Sequence, residues 1–536
     1  MKNILLLGDE AIAQAALDAG LSGMFAYPGT PSTEIMEYIQ ASKQAEVRNV
    51  HRVWSANEKT AMEMALGMSY SGKRAMVAMK HVGLNVAADA FINSALTGVN
   101  GGLIVVSADD PSMHSSQNEQ DSRFYAKFAN IPCFEPSDQQ EAYNMIFDAF
   151  EVSEKYKLPV LYRITTRLAH SRAATVLRKP MSENQFSLPH DPVQFVLLPA
   201  IARKKYKLLL DVYENLKYEN HLEKYNTFKD GRNREMGIIA CGIAYNYLME
   251  NMKDNSDNFP ILKISTYPVS KDIIKDIVDR CKSVLILEEG APMLEESLRG
   301  ILDEGIKIFG RMDGTIPRDG ELNPTIVAKS LGIETPLVKN ISPLVKNRPP
   351  SFCKGCGHAD MFLALNEAIK PYTNGRVFSD IGCYTLGALP PYNSITSCVD
   401  MGAAVTMAVG AAEAGLSPST CVIGDSTFTH SGITGLLDAV IRKSPVTIII
   451  SDNSTTGMTG GQESHATGRL NDICKGLGVD VRHIREIVPL SKNHEDNIRI
   501  MREELEFDGV SVIIAVRECI QTAIKRKKQS NNISAE

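Results

Sequence analysis

Several doubly wound α/β sheets are expected from this sequence, and three observations predict them. Short apolar runs alternate with amphipathic or Ala-rich stretches from the first residues onward, the pattern of parallel sheets covered by helices. The runs end in polar loops rich in Gly, Pro, Ser and Thr, such as Pro28-Gly29-Thr30-Pro31-Ser32-Thr33, and open α/β sheets bind their ligands at such loops. A length of 536 residues, 44% hydrophobic and 22% charged, suits three or four soluble domains.

Composition excludes some classes. A net charge of −6 leaves no nucleic-acid footprint. No apolar run reaches the roughly 18 residues of a membrane span, and the apolar start, Met1 to Gly8, is too short for a signal peptide. Ten cysteines without a regular framework fit a reducing cytoplasm rather than a disulfide scaffold. The basic run Lys525 to Lys528 reads as a solvated end.

Residues 1–172 read as one domain. Ile4 to Leu7 is a strand, Glu10 to Asp18 a helix, and Gly23 to Tyr27 the next strand. Ser32 or Thr33 can cap the helix Glu34 to Ala41, leaving N–H groups for an anion beside Thr30. Glu58 stands at the entrance to the small-residue helix Lys59 to Ser71, where the helix dipole favours an acid. Ala75 to His81 is a strand, placing Lys80 and His81 at its end, and Val86 to Thr97 is a helix. Gly102 to Ser107 is a buried strand, the polar run Ser115 to Arg123 past it a lid, and Leu158 to Arg163 the domain's last strand.

Residues 173–234 change character, with Lys, Tyr, Asn and Glu dominating; they read as a connecting arm with one or two exposed helices. Residues 235–334 restore α/β order with strands at Gly237–Gly242, Leu262–Ser265, Ser283–Leu287 and Ile306–Gly310 and no catalytic constellation, and 335–350 is a Pro-containing linker.

The last domain, 351–536, carries the strongest motif. The strand Thr420–Ile423 ends in Gly424-Asp425-Ser426, a helix spans Gly432 to Arg442, and the strand Val446–Ser451 delivers Asp452 and Asn453 before the loop Ser454 to Gln462. The two strand ends suit Mg²⁺ held against a diphosphate: Asp425 offers a carboxylate, Asn453 an amide oxygen and Thr455 its carbonyl. Glycines such as Gly457 let backbone N–H groups approach phosphate oxygens. Earlier stand Phe352-Cys353-Lys354-Gly355-Cys356-Gly357-His358 and Asp380-Ile381-Gly382-Cys383-Tyr384. A redox pair, a zinc site of Cys353, Cys356, Cys383 and His358, a [4Fe–4S] cluster for which three thiols stand close in sequence and Cys474 is a candidate fourth, and a plain tight turn near the cofactor all compete for these residues.

Strand–GDS–helix–strand–DN–Gly-rich loop resembles the thiamine diphosphate signature, with Ser426 in place of its usual third Gly. Together with AYPGTPST, SANEKTAMEMALG, MKHVGLNVAAD, FCKGCGH and DIGCYTLG, the chain resembles the α subunits of the indolepyruvate:ferredoxin oxidoreductases, within the 2-oxoacid:ferredoxin oxidoreductases. The resemblance covers nearly the whole chain. It implies a thiamine diphosphate-binding fold with a pyrimidine domain, a diphosphate domain and a transketolase C-terminal-like middle domain. It implies oxidative decarboxylation of an aryl 2-oxoacid to the acyl-CoA, with ferredoxin as acceptor, a smaller β subunit as partner, and a homodimer or α₂β₂ assembly. It places the pyrimidine-activating acid at Glu58, a substrate-carboxylate contact at Thr30 and the Mg²⁺ ligands at Asp425, Asn453 and Thr455, while strand-end position alone makes His81 a catalytic candidate. Gly424, Ser426, Gly457, Met458, Gly382 and Cys383 surround the cofactor, and cluster cysteines fall at Cys353, Cys356 and Cys383. Longer family members end in a ferredoxin-like module with two C-x₂-C-x₂-C-x₃-C runs; no such run occurs here, and after Cys474 the only cysteine is Cys519. A non-oxidative decarboxylase or a non-catalytic partner-binding subunit are the rival readings.

Overall fold

The computed structural model describes residues 3–252, 257–299, 306–335, 342, 344–346 and 350–533. The chain divides into two compact units, Met1–Lys339 and Asn340–Glu536. Most of the linker expected at 335–350 lies outside the described residues.

The first unit is built on two sheets. In the larger, the strands run in the order Thr266–Tyr267, Cys133–Phe134, Val160–Thr165, Leu103–Asp109, Ala75–Lys80, Gly23–Ala26 and His51–Trp54. All pair in parallel except the first, which runs antiparallel to Cys133–Phe134. The three central strands are buried along their whole length, as apolar strands covered on both faces must be. The second sheet has the order Lys307–Phe309, Ser283–Leu287, Met236–Cys241, Ile261–Ile264 and Thr227–Lys229, the last antiparallel.

Several expectations are corrected here. The strand Asn3–Leu7 does not enter the main sheet; it forms a separate antiparallel ribbon with Arg172–Val176, so Val160–Thr165 is not the last strand of the region. The arm read as carrying one or two exposed helices also supplies most of Arg172–Val176 and all of Thr227–Lys229, and its helix Pro199–Leu216 is largely exposed. Thr266–Tyr267, next to the second sheet in sequence, edges the first. A buried ion network reinforces that join. Arg163 Nε donates to Asp109 at 2.6 Å and its Nη1 pairs with Glu135, while Arg123 pairs with Asp121 and donates to Glu288 at 3.0 Å. Buried charges are tolerated only when paired this fully. Both sheets lie within the one compact unit Met1–Lys339.

The second unit has one parallel sheet, ordered Arg376–Ser379, Ser419–Gly424, Val446–Asp452, Val510–Val516 and Ile484–Ile487. Alternation fixes its two faces: Ile448, Ile450, Val512 and Ile514 pack into one apolar cluster, and Ile449, Ile513 and Ala515 into another. A strand with side-chain period two, apolar throughout, is a strand covered on both sides.

Candidate active site

In the first unit, the carboxyl ends of the strands gather the residues singled out from the sequence. The helix Glu58–Tyr70 begins because Asn57 caps it: its side chain accepts the Thr60 N–H at 2.8 Å, while the Asn57 N–H donates to Thr60 Oγ1 at 3.3 Å. Such a cap is worth about 1 kcal/mol, and it fixes Glu58 as the first helical residue. Glu58 is buried at 5% exposure. Its neighbour is Gly83, where a Cβ would stand 2.5 Å from Glu58 Oε1 and 2.6 Å from its Cγ. Only glycine leaves that carboxyl its place.

Gly29 packs on Lys80, and Lys80 Nζ donates to the Ser115 carbonyl at 2.7 Å. Ser115 Oγ in turn donates to the Thr30 carbonyl at 3.2 Å. Burial lowers the Lys80 ammonium to about 8, against the opposing pull of Asp110. Neither Ser32 nor Thr33 caps the following helix as expected: Ser32 Oγ donates to Gly29 O at 2.8 Å, and Thr33 Oγ1 accepts the Gly29 N–H at 3.0 Å. Both hydroxyls shape the Thr30 turn instead. His81 is the first residue of the helix His81–Thr97 rather than a strand end; it is buried, with Nε2 3.2 Å from Asn118 Oδ1. The run expected as a lid is pinned by two strand-end aspartates. Asp110 accepts from Ser115 N at 2.8 Å and Ser116 Oγ at 2.6 Å, and Asp109 accepts from Ser122 N at 3.0 Å.

In the second unit, the strand Ser419–Gly424 passes directly into helical structure. Asp425 opens a turn that runs through a π-helical segment, Phe428–Gly432, into the helix Ile433–Arg442. The helix expected from Gly432 therefore starts seven residues earlier, and π turns of this kind are frequent at functional sites. Asp425 is 2% exposed, its Oδ2 has no hydrogen-bond partner, and burial pushes its carboxyl up to about 7 despite a bond from Ser464. Asn453 Oδ1 accepts the Thr455 N–H at 3.1 Å, leaving its second lone pair. Ser426 and Thr456 hydroxyls bond at 3.0 Å, tying the two strand-end loops together. Thr455–Thr456 pairs with Gln462–Glu463, so Gly457 to Gly461 is a hairpin, closed with Gly460 and Gly461 at φ 122° and 86°; only glycine adopts those angles cheaply. Met458 stands at its tip, 61% exposed. The Tyr384 ring lies against Gly382 and Gly424, and its hydroxyl bonds Asp380. An orphaned, buried carboxylate oxygen beside an amide and a Gly-rich hairpin is a donor set that fits a hard divalent cation and a diphosphate.

The cysteines converge on the same loops. One cavity is lined by Cys353, Cys356, Cys383 and Cys519 together with Asn453 and Gly457. A Cβ on Gly457 would lie 3.3 Å from Cys383 Sγ. Burial, with Cys356, Cys519 and Cys353 nearby, pushes the Cys383 thiol up to about 12. Gly355, at φ 79°, turns the Cys353–Cys356 loop, and Cys356 N donates to Cys353 O at 3.0 Å. The fourth thiol is Cys519, not Cys474, which is fully buried in the apolar core. Cys519 follows the strand Val510–Val516, and its N–H donates to Asn453 O at 3.1 Å; the rule that strand ends share one edge could have found it. His358 is buried with Nε2 unpartnered, and burial lowers its imidazole to about 4. Among the described residues, the groups of three or more ligating side chains with atoms within 4.8 Å of one another contain no cysteine. Zinc at about 2.3 Å from each sulfur would need tighter convergence.

Two family models match the chain. Residues 14–222 match "Pyruvate flavodoxin/ferredoxin oxidoreductase, thiamine diP-bdg", and residues 380–514 match "Thiamine pyrophosphate enzyme, C-terminal TPP binding domain". Indolepyruvate oxidoreductase subunit IorA of Archaeoglobus fulgidus is 38% identical over 97% of this chain and 86% of its own length. The same subunit of Pyrococcus abyssi is also 38% identical over 97% and 86%. That of Methanothermobacter thermautotrophicus is 36% identical over 96% and 87%.

Proposed function

The chain belongs to the family of indolepyruvate oxidoreductase IorA subunits, and from that premise we propose that it is the thiamine diphosphate-binding subunit of an enzyme that oxidatively decarboxylates an aryl 2-oxoacid to its acyl-CoA. Ferredoxin is the acceptor in this reading, and a smaller β subunit completes the enzyme in a cytoplasmic homodimer or α₂β₂ assembly. The observation that carries it is the unpartnered, buried Asp425 oxygen on the strand-end loop that the Ser426–Thr456 bond ties to the Gly-rich hairpin. When bound, thiamine diphosphate supplies the electron sink for loss of CO₂ from a 2-oxoacid.

The chain's own residues bind and position. Asp425, Asn453 and the Thr455 carbonyl would hold Mg²⁺, with Gly424, Ser426, Gly457 and Met458 about the diphosphate. The helical run opening at Asp425 would offer its positive end to that anion. Glu58 would hydrogen-bond the aminopyrimidine ring and keep its imino form populated, a general acid–base role. Thr30 would receive the substrate carboxylate, with Lys80, which packs on Gly29, and His81 following it at the end of the neighbouring strand. Cys353, Cys356 and Cys383, joined by Cys519, would hold a [4Fe–4S] cluster beside Gly457, where burial disfavours the bare Cys356 and Cys383 thiolates and iron would offset it.

Decarboxylation of indolepyruvate, followed as CO₂ release by anaerobically purified protein with thiamine diphosphate and Mg²⁺, tests the reading. The Glu58→Gln variant should bind the cofactor as wild type does and release CO₂ about 10²- to 10⁴-fold more slowly. Undiminished turnover in that variant would remove Glu58 from the reaction. Adding CoA and a low-potential dye distinguishes oxidative from simple decarboxylation: the proposal expects dye reduction only with substrate.

A further inference from the structure

Apart from these residues, the first unit holds a cluster of unsatisfied carboxylate oxygens. Asp9 is the second residue of the helix Gly8–Asp18, Glu34 the second of the helix Thr33–Ala41, and His170 the last of the helix Thr166–His170. One ligating atom from each lies within 4.8 Å of the other two. Close packing enforces this: a Cβ on Gly8 would collide with the Leu168 carbonyl, so the first turn carrying Asp9 rests directly on the helix carrying His170. Asp9 is fully buried, and neither of its carboxylate oxygens has a hydrogen-bond partner. Glu34 Oε2 has none either, while Glu34 Oε1 is 3.5 Å from His170 Nε2. Among the described residues no lysine or arginine is ion-paired with Asp9 or Glu34.

Three carboxylate oxygens without donors in one place cost free energy unless a proton or a cation meets them. A similar trio elsewhere in the unit shows what a completed cluster looks like. Asp148, Glu151 and His221 also converge, but Lys224 Nζ donates to Asp148 Oδ1 at 2.6 Å and Tyr225 OH bonds its other oxygen. A lysine already stands where a metal would go. Around Asp9 no such cation is present; burial and the neighbouring Glu34 and Glu10 instead hold its carboxyl well above the usual carboxylate range.

We propose that Asp9, Glu34 and His170 form a binding site for a divalent transition-metal ion that joins three helices of the first unit. Two carboxylates and one imidazole suit Mn²⁺, Fe²⁺ or Zn²⁺ better than the all-oxygen preference of Ca²⁺ or Mg²⁺. The side chains of Glu34 and His170 are 35% and 34% exposed, giving the ion a route in and water for its remaining positions. Its role is structural: it fastens the helix that follows the Thr30 turn.

Mn²⁺ is the probe, because it has little appetite for the thiol cavity and its free form is read directly by electron paramagnetic resonance. The Asp425→Asn background silences the other oxygen-donor site. In that full-length background, stripped of metal and free of thiamine diphosphate, the expected result is one Mn²⁺ per chain. Adding Asp9→Asn, which preserves shape, should abolish that binding, and adding His170→Gln should weaken it at least tenfold. Equal Mn²⁺ uptake with and without Asp9→Asn would overturn the proposal and leave Asp9 a protonated acid. Should Asp9→Asn fail to fold, the half-exposed His170→Gln decides alone: unchanged Mn²⁺ affinity overturns the site, and a tenfold loss supports it.

Discussion

Glu289 follows the strand Ser283–Leu287 with one carboxylate oxygen accepting the Leu322 N–H at 3.0 Å and the other without a partner. Burial pushes its carboxyl up to about 8. The folded chain therefore holds a proton there that the unfolded chain releases above its ordinary value of 4.5. The stability this proton confers is present below that value and is lost as the pH rises through about 8. Glu289→Gln keeps the acceptor for Leu322 and removes the titration. Its urea midpoint should change less between pH 5 and pH 9 than that of wild type, and at pH 9 the variant should be the more stable by about 1–3 kcal/mol. Equal pH dependence in the two proteins would mean Glu289 is ionised in the fold. Asp380 and Asp425 are likewise raised to about 7 by burial, but each has a local donor: Asp380 accepts from Gly402 N at 2.9 Å.

The meeting of the helices Glu58–Tyr70 and His81–Thr97 shows how an element sets a side chain. Alanine at position 83 would raise helix propensity by about 1 kcal/mol, yet its Cβ would occupy the space of the Glu58 side chain. Gly83→Ala should therefore fold with a melting temperature near wild type while CO₂ release falls about 10²-fold; a melting loss without a rate loss would contradict the placement of Glu58. Elements of this kind were legible in the sequence where the pattern is local, as with the strand Ala75–Lys80 or the small-residue helix entered at Glu58, whereas the Asn57 cap was not picked out. The Ser115–Arg123 run was misread because what holds it comes from Asp109 and Asp110, and a polar composition says nothing of such partners. The Ser32 and Thr33 hydroxyls misled for the same reason, being spent on Gly29 rather than on the helix.

At the scale of the molecule, motif order in the sequence pointed to the Asp425 loop and the hairpin after Asn453, because a βαβ unit places both at adjacent strand ends. The cysteine set was less legible. Cys353, Cys356 and Cys383 stand out by spacing, whereas Cys519 joins them only through the parallel pairing of Val446–Asp452 with Val510–Val516. The joining of the first unit's two sheets was hidden likewise, since Arg123 reaches Glu288 and Arg163 the Glu289 carbonyl across more than a hundred residues of sequence. Anaerobically purified chain should carry about four iron and four sulfide, and Cys519→Ser should lose most of both while Cys474→Ser keeps them; iron retained in Cys519→Ser would exclude it as a ligand. The central claim, that the Asp425 loop grips a magnesium-bound diphosphate, is tested most directly by calorimetric titration of thiamine diphosphate into the full chain. The account predicts one cofactor per chain, bound only with Mg²⁺ and at least a hundredfold more weakly by Asp425→Asn. Equal affinity in the variant, or binding indifferent to Mg²⁺, would contradict it.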